Sequence, residues 1–135
     1  MTIRIETTVE APVRTAWHAW TSPDMITRWN FASDDWACPR AEIDLRPGGS
    51  FNYRMEAKDG SMGFDFAGQF TVVEAPRRIE YSLGDDRKVV VEFSAVEGGT
   101  RVVESFEAED AFSAEQQKQG WQAILNNFKR LVDRS

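Results

Sequence analysis

The sequence predicts an α+β fold in which a curved antiparallel sheet of about seven strands is covered by a long C-terminal helix. Three observations lead to this prediction. Residues 11–29 have the apolar spacing of two short helices, residues 37–108 alternate strands with tight turns, and residues 113–133 have the pattern of one amphipathic helix. Consecutive strands that are joined by tight turns must run antiparallel.

The first strand and the two short helices are predicted within the first 30 residues. Thr2 to Val9 alternates apolar and polar side chains, which is typical of a half-buried strand. Pro12 suits the first turn of a helix, where its missing N–H has no cost. Thr21-Ser22-Pro23 ends that helix and begins the second, with Ser22 at the N-cap position.

About six further strands are predicted from Trp36 onward, each with one apolar side and a turn signal after it. The turn signals are Pro47-Gly48-Gly49, Lys58-Asp59-Gly60, Ala75-Pro76-Arg77, Gly84-Asp85-Asp86 and Glu97-Gly98-Gly99. Gly48 and Gly49 are expected to supply unusual backbone angles in their turn. The apolar sides of these strands are rich in aromatic residues, and we expect them to face the last helix.

The last helix is predicted over residues 113–133. Ser113 and Gln116 have the spacing of a capping box at its start. About twenty residues would span about 30 Å, enough to cross a small sheet. Gly120 in its interior costs about 1 kcal/mol relative to alanine, which indicates either close packing or open space beneath the helix. Its apolar face carries Trp121, Ile124, Leu125, Phe128, Leu131 and Val132.

Size and composition exclude several classes of function. The 135 residues predict one domain, residues 1–135, with room for a hydrophobic core. A net charge of −6 disfavours binding to nucleic acids and anionic membranes. No apolar run approaches the roughly 18 residues of a membrane helix, and the strand-like, charged N-terminus does not resemble a signal peptide. We therefore expect a cytoplasmic protein without membrane insertion.

Cysteine and histidine are too scarce for a disulfide or a zinc site. The single cysteine, Cys38, fits a reducing compartment, and its default position is that of a small buried apolar residue. The single histidine, His18, lies off the apolar stripe of its helix and is expected on a solvated face. Zinc sites usually recruit several such ligands. We expect no metal and no cofactor.

Motifs distributed in order along nearly the whole chain resemble those of one superfamily. They are Ala11-Pro12 through Trp17, Trp20-Thr21-Ser22-Pro23, Trp29, Asp44-Leu45-Arg46-Pro47-Gly48-Gly49-Ser50-Phe51, Asp59-Gly60, Gly68, Ala75-Pro76-Arg77-Arg78-Ile79, Gly99-Thr100-Arg101 and Gly120-Trp121 with Leu125. This pattern resembles the SRPBCC superfamily of helix-grip (START-like) proteins. Within it, the chain is most similar to the bacterial family that resembles the C-terminal domain of the activator of heat-shock-protein-90 ATPase.

The resemblance implies a fold and a class of function. The fold is a seven-stranded antiparallel sheet that grips the long helix, with a cavity between them. Members of the superfamily bind lipids, steroids, polyketides or other apolar molecules, and some catalyse cyclisation or hydrolysis. We expect Asp44 and Arg46, which belong to the family's turn motif, to have a structural role.

Aromatic residues on the predicted inner face are candidates for a binding cavity, although such stripes also fill dry cores. Among these aromatic residues, Tyr53 and Tyr81 are the better candidates for a polar contact with a ligand, since a buried hydroxyl requires a hydrogen-bond partner. Trp29, Phe31 and Trp36 are placed around a polar loop, where they either gate a pocket or fix the loop to the sheet. The predicted ligand-binding residues are Tyr53, Met55, Phe64, Phe66, Tyr81, Phe93, Glu104, Trp121 and Leu125, and Phe51 shares their strand face.

Glu104 is the most informative single residue, because it shares a strand face with Val102 and Phe106 if the strand is regular. A carboxyl group in an apolar stripe is costly unless it is paired or protonated. Two interpretations stay open. Glu104 is either a polar anchor or general acid inside the cavity, or it lies at a water-exposed position at the mouth, at the strand end or on a bulge. The exposed position is the preferred interpretation.

Three functions are compatible with the sequence. The first is binding of an apolar or amphipathic small molecule in the cavity. The second is a polyketide-cyclase-like or hydrolase-like enzyme that uses Glu104, Tyr53 or Tyr81. The third is a chaperone-activator-like interaction module, which requires a filled interior. Free sheet edges are also compatible with a homodimer.

Overall fold

Ten elements follow one another in the order that the sequence predicts. The computed structural model describes residues 1–134. The elements are β1 (Thr2–Val9), α1 (Val13–Thr21), α2 (Pro23–Ile26), β2 (Trp36–Ile43), β3 (Ser50–Ala57), β4 (Gly63–Glu74), β5 (Arg78–Leu83), β6 (Lys88–Val96), β7 (Gly99–Glu107) and α3 (Ala114–Arg134). The seven strands form one antiparallel sheet in the order β1-β7-β6-β5-β4-β3-β2. The predicted α+β helix-grip fold is therefore confirmed.

The sheet curves because two strands contain an irregularity. In β2 the register shifts between Ala37 and Arg40, and in β4 it shifts between Phe70 and Val72. An extra residue on one strand bends that strand and increases its twist. Pro39 lies inside the first irregularity, on an edge strand, where its missing N–H is tolerated. These two sites bend the β2–β4 side of the sheet.

The turn between β2 and β3 uses its two glycines for different reasons. Gly48 has a φ of +86°, which glycine adopts without strain. Gly49 has no positive φ, but a Cβ atom there would lie 2.1 Å from the Asp44 carbonyl oxygen. The expectation of unusual backbone angles is thus confirmed for Gly48 and wrong for Gly49, which is required by close packing. Arg46 Nε and the Asp44 carboxylate, 2.9 Å apart, brace the turn.

Helix α3 is attached to the edge strand β1 along its C-terminal half. Lys129 Nζ donates to the Thr8 carbonyl at 2.6 Å, and the Glu10 N–H donates to Asp133 Oδ1 at 2.8 Å. At the other end the predicted capping box is present, since the Gln116 N–H donates to Ser113 Oγ at 3.1 Å. The helix thus shields an edge of the sheet that would otherwise be open to pairing.

The interior beneath the C-terminal half of α3 is filled by aromatic rings. Trp20 lies with its ring centroid 4.9 Å from that of Trp29 and 4.9 Å from that of Phe128. Trp29 Nε1 donates to the Ala19 carbonyl at 2.9 Å, which satisfies the buried indole. This cluster fixes α1 and the segment after α2 against the long helix.

Other local predictions have mixed outcomes. His18 is exposed and Cys38 is a buried free thiol, as expected. Ser22 does separate α1 from α2, with Pro23 in the first turn, but its side chain makes no capping hydrogen bond. Within residues 1–134, no helix is long and apolar enough to span a membrane.

Replacing Gly120 by alanine should stabilise the protein. No atom lies within 4 Å of the position that a Cβ would take, so close packing does not require this glycine and the substitution causes no clash. Alanine favours a helix interior over glycine by about 1 kcal/mol. We expect Gly120→Ala to raise the free energy of unfolding by up to about 1 kcal/mol, measured by urea unfolding.

Gly99→Ala is the contrasting variant. A Cβ at Gly99 would lie 1.9 Å from the Val9 carbonyl oxygen, and this backbone cannot rotate away. We expect a loss of at least about 2 kcal/mol in the same measurement, since overpacking that shifts the backbone has costs of this order. Equal effects of the two variants would contradict the packing described for both glycines.

Candidate functional site

A cavity of about 170 Å³ lies between the sheet and the N-terminal half of α3. Its walls come mainly from strands β2–β5 and from α3. Its wall is mostly hydrocarbon and aromatic ring. The lining residues are Trp20, Trp29, Asn30, Ile43, Tyr53, Met55, Phe64, Phe66, Phe70, Ile79, Tyr81, Glu104, Trp121 and Ile124. The space is comparable to the cavity of about 150 Å³ that holds a benzene molecule in an apolar core.

The mouth of the cavity is marked by three aromatic residues that also line a surface groove. Phe64, Phe66 and Trp121 line both the cavity and a groove of about 450 Å³. Phe64 is 49% exposed, although its neighbours along the cavity wall are largely buried. Inside the groove, Arg87 bridges Asp85 at 2.6 Å and Glu109 at 3.1 Å. A polar groove thus adjoins an apolar cavity.

Of the three aromatics expected at an entrance, Trp36 contacts a residue of the mouth but does not itself line the cavity or the groove. The Trp36 ring packs edge-on against Phe64 with centroids 5.9 Å apart. Trp29 is instead 3% exposed and belongs to the core cluster, so its expected place at the entrance is wrong. Phe31 is half-buried, and its carbonyl accepts a hydrogen bond from Asn127 Nδ2 at 2.5 Å. This bond fixes the loop after α2 to α3.

Trp121 forms the part of the helix that closes the cavity. Its ring stacks on Phe106 with centroids 3.9 Å apart and planes within 10° of parallel, and it meets Phe66 edge-on at 6.0 Å. Phe66 is in turn stacked on Tyr53, its partner across β3 and β4. Contacts of this kind hold aromatic rings in defined orientations, so the wall near the mouth is preorganised.

Glu104 faces the cavity and is 6% exposed. The register of β7 is regular against both of its neighbours, so Glu104 lies on the same face as Val102 and Phe106. The preferred expectation of a water-exposed or bulged position is therefore wrong. Glu104 pairs across the sheet with Ile5 of β1 and Val91 of β6, whose side chains are hydrocarbon and cannot form hydrogen bonds.

The Glu104 carboxyl has no hydrogen-bond donor or cation as a partner among residues 1–134. Its only perturbation is burial, which disfavours the charged form and raises its pKa from 4.5 to about 8. At neutral pH the group is therefore mostly protonated. A neutral carboxyl can both donate and accept a hydrogen bond.

Three other polar side chains line the cavity. Burial raises the pKa of Tyr53 and that of Tyr81 above the ordinary tyrosine value, so both hydroxyls stay protonated, and the nearby Glu104 adds to the effect on Tyr81. The Asn30 amide donates to the weak acceptor Met55 Sδ at 3.4 Å and to Cys38 Sγ at 3.9 Å. Burial also raises the pKa of the Cys38 thiol, which makes this thiol a poor nucleophile.

Most, but not all, of the predicted ligand-binding residues lie together at the cavity. Those that line it are Tyr53, Met55, Phe64, Phe66, Tyr81, Glu104 and Trp121. Phe93 instead packs against Trp17 and Trp20, and Leu125 is fully buried in the core, so neither lines the cavity. Whether the lining residues contact a ligand stays a prediction.

Sequence reasoning missed several lining residues. Ile79 and Ile124 are on stripes that the sequence identifies, and their apolar periodicity is the signal that could have found them. Asn30 gave no signal, because it follows α2 in a stretch that reads as a polar loop. Its position depends on the turn that ends α2, where the Asn30 N–H donates to the Ile26 carbonyl at 3.0 Å.

Comparisons with known proteins place the chain among similar sequences and structures. The family model described as Activator of Hsp90 ATPase homolog 1-like protein matches residues 10–133. An AHSA1-like protein from Aeromonas hydrophila, known from a solution structure, is 49% identical, with a TM-score of 0.94 over 99% of this chain and 93% of that chain. No curated protein matches the sequence.

Two further solved structures have the same architecture. A protein from Cytophaga hutchinsonii is 44% identical, with a TM-score of 0.85 over 98% of this chain and 92% of that chain. A crystal structure of a protein from Nitrosomonas europaea has a TM-score of 0.84 at 20% identity, over 99% of this chain and 95% of that chain. At 20% identity, the likeness to the Nitrosomonas europaea protein concerns the fold alone.

The raised pKa of Glu104 predicts that stability falls as the pH rises from about 5 to about 8. The folded state keeps the Glu104 proton up to about pH 8, whereas the unfolded chain loses it near 4.5. Between these values the folded state binds more protons, so the free energy of unfolding falls by up to about 1.4 kcal/mol per pH unit. Urea unfolding at intervals from pH 5 to pH 9 measures this slope.

Glu104→Gln is the matched control for this slope. Glutamine keeps the size of the side chain and cannot ionise. The other perturbed carboxyls, Asp59, Asp85 and Asp133, have lowered pKa values and titrate below this window. The variant should therefore show a much flatter dependence from pH 5 to pH 8. Parallel curves for the two proteins would show that Glu104 is not the buried acid.

Proposed function

The chain belongs to the family of Activator of Hsp90 ATPase homolog 1-like proteins, and we propose that it binds an apolar or amphipathic small molecule in the cavity beneath α3. The observation that carries this proposal is the cavity itself. An apolar space in an otherwise close-packed interior forfeits the contacts that would fill it, and this loss is a cost in stability. A ligand that fills the space would restore these contacts and so stabilise the protein.

The shape and chemistry of the wall support a ligand that is largely apolar. Ligand pockets are lined mainly by hydrophobic and aromatic side chains, with a few polar groups that set orientation. The cavity has this composition, with the Asn30 amide, the hydroxyls of Tyr53 and Tyr81 and the Glu104 carboxyl as its polar groups. We propose that Tyr53, Met55, Phe64, Phe66, Tyr81 and Trp121 contact the ligand.

The surface groove supports an amphipathic ligand as well as a wholly apolar one. A molecule too long for the cavity would pass between Phe64, Phe66 and Trp121 and place its polar end beside Arg87, Asp85 and Glu109. The buried free thiol of Cys38 suits a reducing compartment, so we propose that binding takes place in the cytoplasm.

The two alternative functions have less support. An interaction module of the chaperone-activator kind requires a filled interior, whereas this interior contains a cavity that adjoins a surface groove. A cyclase-like or hydrolase-like enzyme would also use the cavity. It differs from a carrier in that the molecule recovered from the protein would be converted on incubation.

Native mass spectrometry of the freshly purified protein, before and after organic extraction, tests the binding function. We expect a reproducible extra mass that extraction releases. Ile124→Phe should reduce the loaded fraction about ten-fold or more, because a larger side chain on α3 would occupy the space and overlap with a ligand costs about 1–3 kcal/mol. The variant should fold normally, since Ile124 lines the cavity rather than the dense core.

Val103→Phe provides the matched control for this experiment. Val103 is a half-buried aliphatic residue on the opposite face of β7 from Glu104, so enlarging it leaves the cavity unchanged. It should carry the same extra mass as the unmodified protein. A clean mass for the unmodified protein, or equal loading of both variants, would contradict a ligand held beneath α3.

A further inference from the structure

Resting on the proposed function, we infer that the ligand is a neutral or basic molecule of one or two rings that donates a hydrogen bond to the Glu104 carboxyl. The inference concerns the class of ligand, whereas the proposed function concerns the existence of one. It is carried by three observations: the missing partner of Glu104, the charges around the cavity and the size of the space.

The first observation is that the carboxyl faces the cavity without a partner. Ile5 and Val91 flank it across the sheet, and no side chain of the described residues donates to it. A buried polar group that stays unpaired lowers the stability of the folded state. Whatever fills the cavity displaces solvent from this group, so a ligand without a polar partner leaves the cost in place. The carboxyl accepts a hydrogen bond in both of its protonation states, whereas it donates one only when protonated, so a ligand with a donor satisfies it over the wider pH range.

The second observation is the sign of the charges. Among the described residues that line the cavity there is no lysine, arginine or histidine, and Glu104 is the one that can carry charge near neutral pH. A fatty acid or another carboxylate would be buried beside a carboxyl without a counter-ion, which is strongly unfavourable. The groove adds Asp65, Asp85 and Glu109 against Arg87, so its formal charge is also negative.

The third observation is the volume. About 170 Å³ suits a ring compound rather than a long acyl chain. The many aromatic side chains in the lining, Trp121, Phe66 and Tyr53 among them, favour a ring compound, because aromatic pairs gain from stacked or edge-on contact.

The remaining titratable groups around the cavity do not compete with Glu104. Tyr53 of β3 and Tyr81 of β5 have raised pKa values and stay neutral. Cys38 of β2 does not line the cavity, and its own pKa is raised. The other elements contribute no ionisable group to the lining: α1 supplies Trp20, the segment after α2 supplies Trp29 and Asn30, and α3 supplies Trp121 and Ile124.

Indole and benzofuran provide a matched pair of probes. They have nearly the same shape, but indole carries an N–H donor where benzofuran has an oxygen atom. Isothermal titration of the full chain from which bound molecules have been extracted should show indole binding about ten-fold more tightly than benzofuran. Benzoate, which is anionic, should not bind measurably.

Variants of Glu104 test whether its carboxyl is the group that distinguishes indole from benzofuran. Glu104→Met keeps the length of the side chain but removes the acceptor, so the two probes should bind within about two-fold of each other. Glu104→Gln keeps a carbonyl acceptor and should keep the preference for indole. Glu42→Met makes the same change at an exposed glutamate of β2 and should keep the preference as well.

The outcomes separate the inference from the proposed function. Equal binding of indole and benzofuran to the unmodified protein would leave the cavity as a binding site but overturn the role of Glu104. Loss of the preference in Tyr53→Phe or Tyr81→Phe, with the preference intact in Glu104→Met, would assign the anchor to a hydroxyl and also overturn it. Tight binding of benzoate would overturn the charge argument. If neither ring probe binds, the inference fails together with its premise.

Discussion

A long helix crosses a curved sheet, and this arrangement determines where the structure is filled and where it is open. Helix α3 has 21 residues, which span roughly 30 Å. Its C-terminal half lies along β1 and over the cluster of Trp20, Trp29 and Phe128. Its N-terminal half crosses the region in which β2–β5 curve away, and the resulting gap is the cavity.

Glu104 places an ionisable group in an interior that is otherwise mostly hydrocarbon. Fully buried side-chain nitrogen and oxygen atoms in the described part of the chain have hydrogen-bond partners: Thr100 Oγ1 donates to the Ala11 carbonyl, and Gln117 bonds the backbone of Glu109 and Phe112. The Glu104 carboxyl instead lines the cavity, as do the hydroxyls of Tyr53 and Tyr81. A carboxyl group among hydrocarbon side chains lowers stability. Local violations of this kind are expected at functional sites, and here the violation coincides with the cavity.

The fold could be predicted from the sequence because its signals are local and repeated. Alternation in β3–β7, the turn glycines and the capping box of α3 each specify an element within a few residues. The cavity wall was less accessible to prediction, since it depends on long-range geometry. The pattern placed Phe93 and Tyr81 on equivalent faces, but only Tyr81 lies where the sheet has curved away from the helix. The inward position of Glu104 could be predicted only with the register of β7 against both β1 and β6. The position of Asn30 could be predicted only with the geometry of the turn that ends α2.

The pairing of β1 with β7 has a consequence for how the chain folds. Thr2 of β1 pairs with Glu107 of β7, so β1 must wait for the last of the seven strands in chain order before it can pair. Translation at about 5–20 residues per second leaves β1 without that neighbour for roughly 5–20 s, and contacts so distant in sequence slow the folding of the free chain as well. The β2–β6 meander can form earlier from neighbouring hairpins. The arrival of β7 and α3 then closes the sheet on β1 and creates the cavity in the same step.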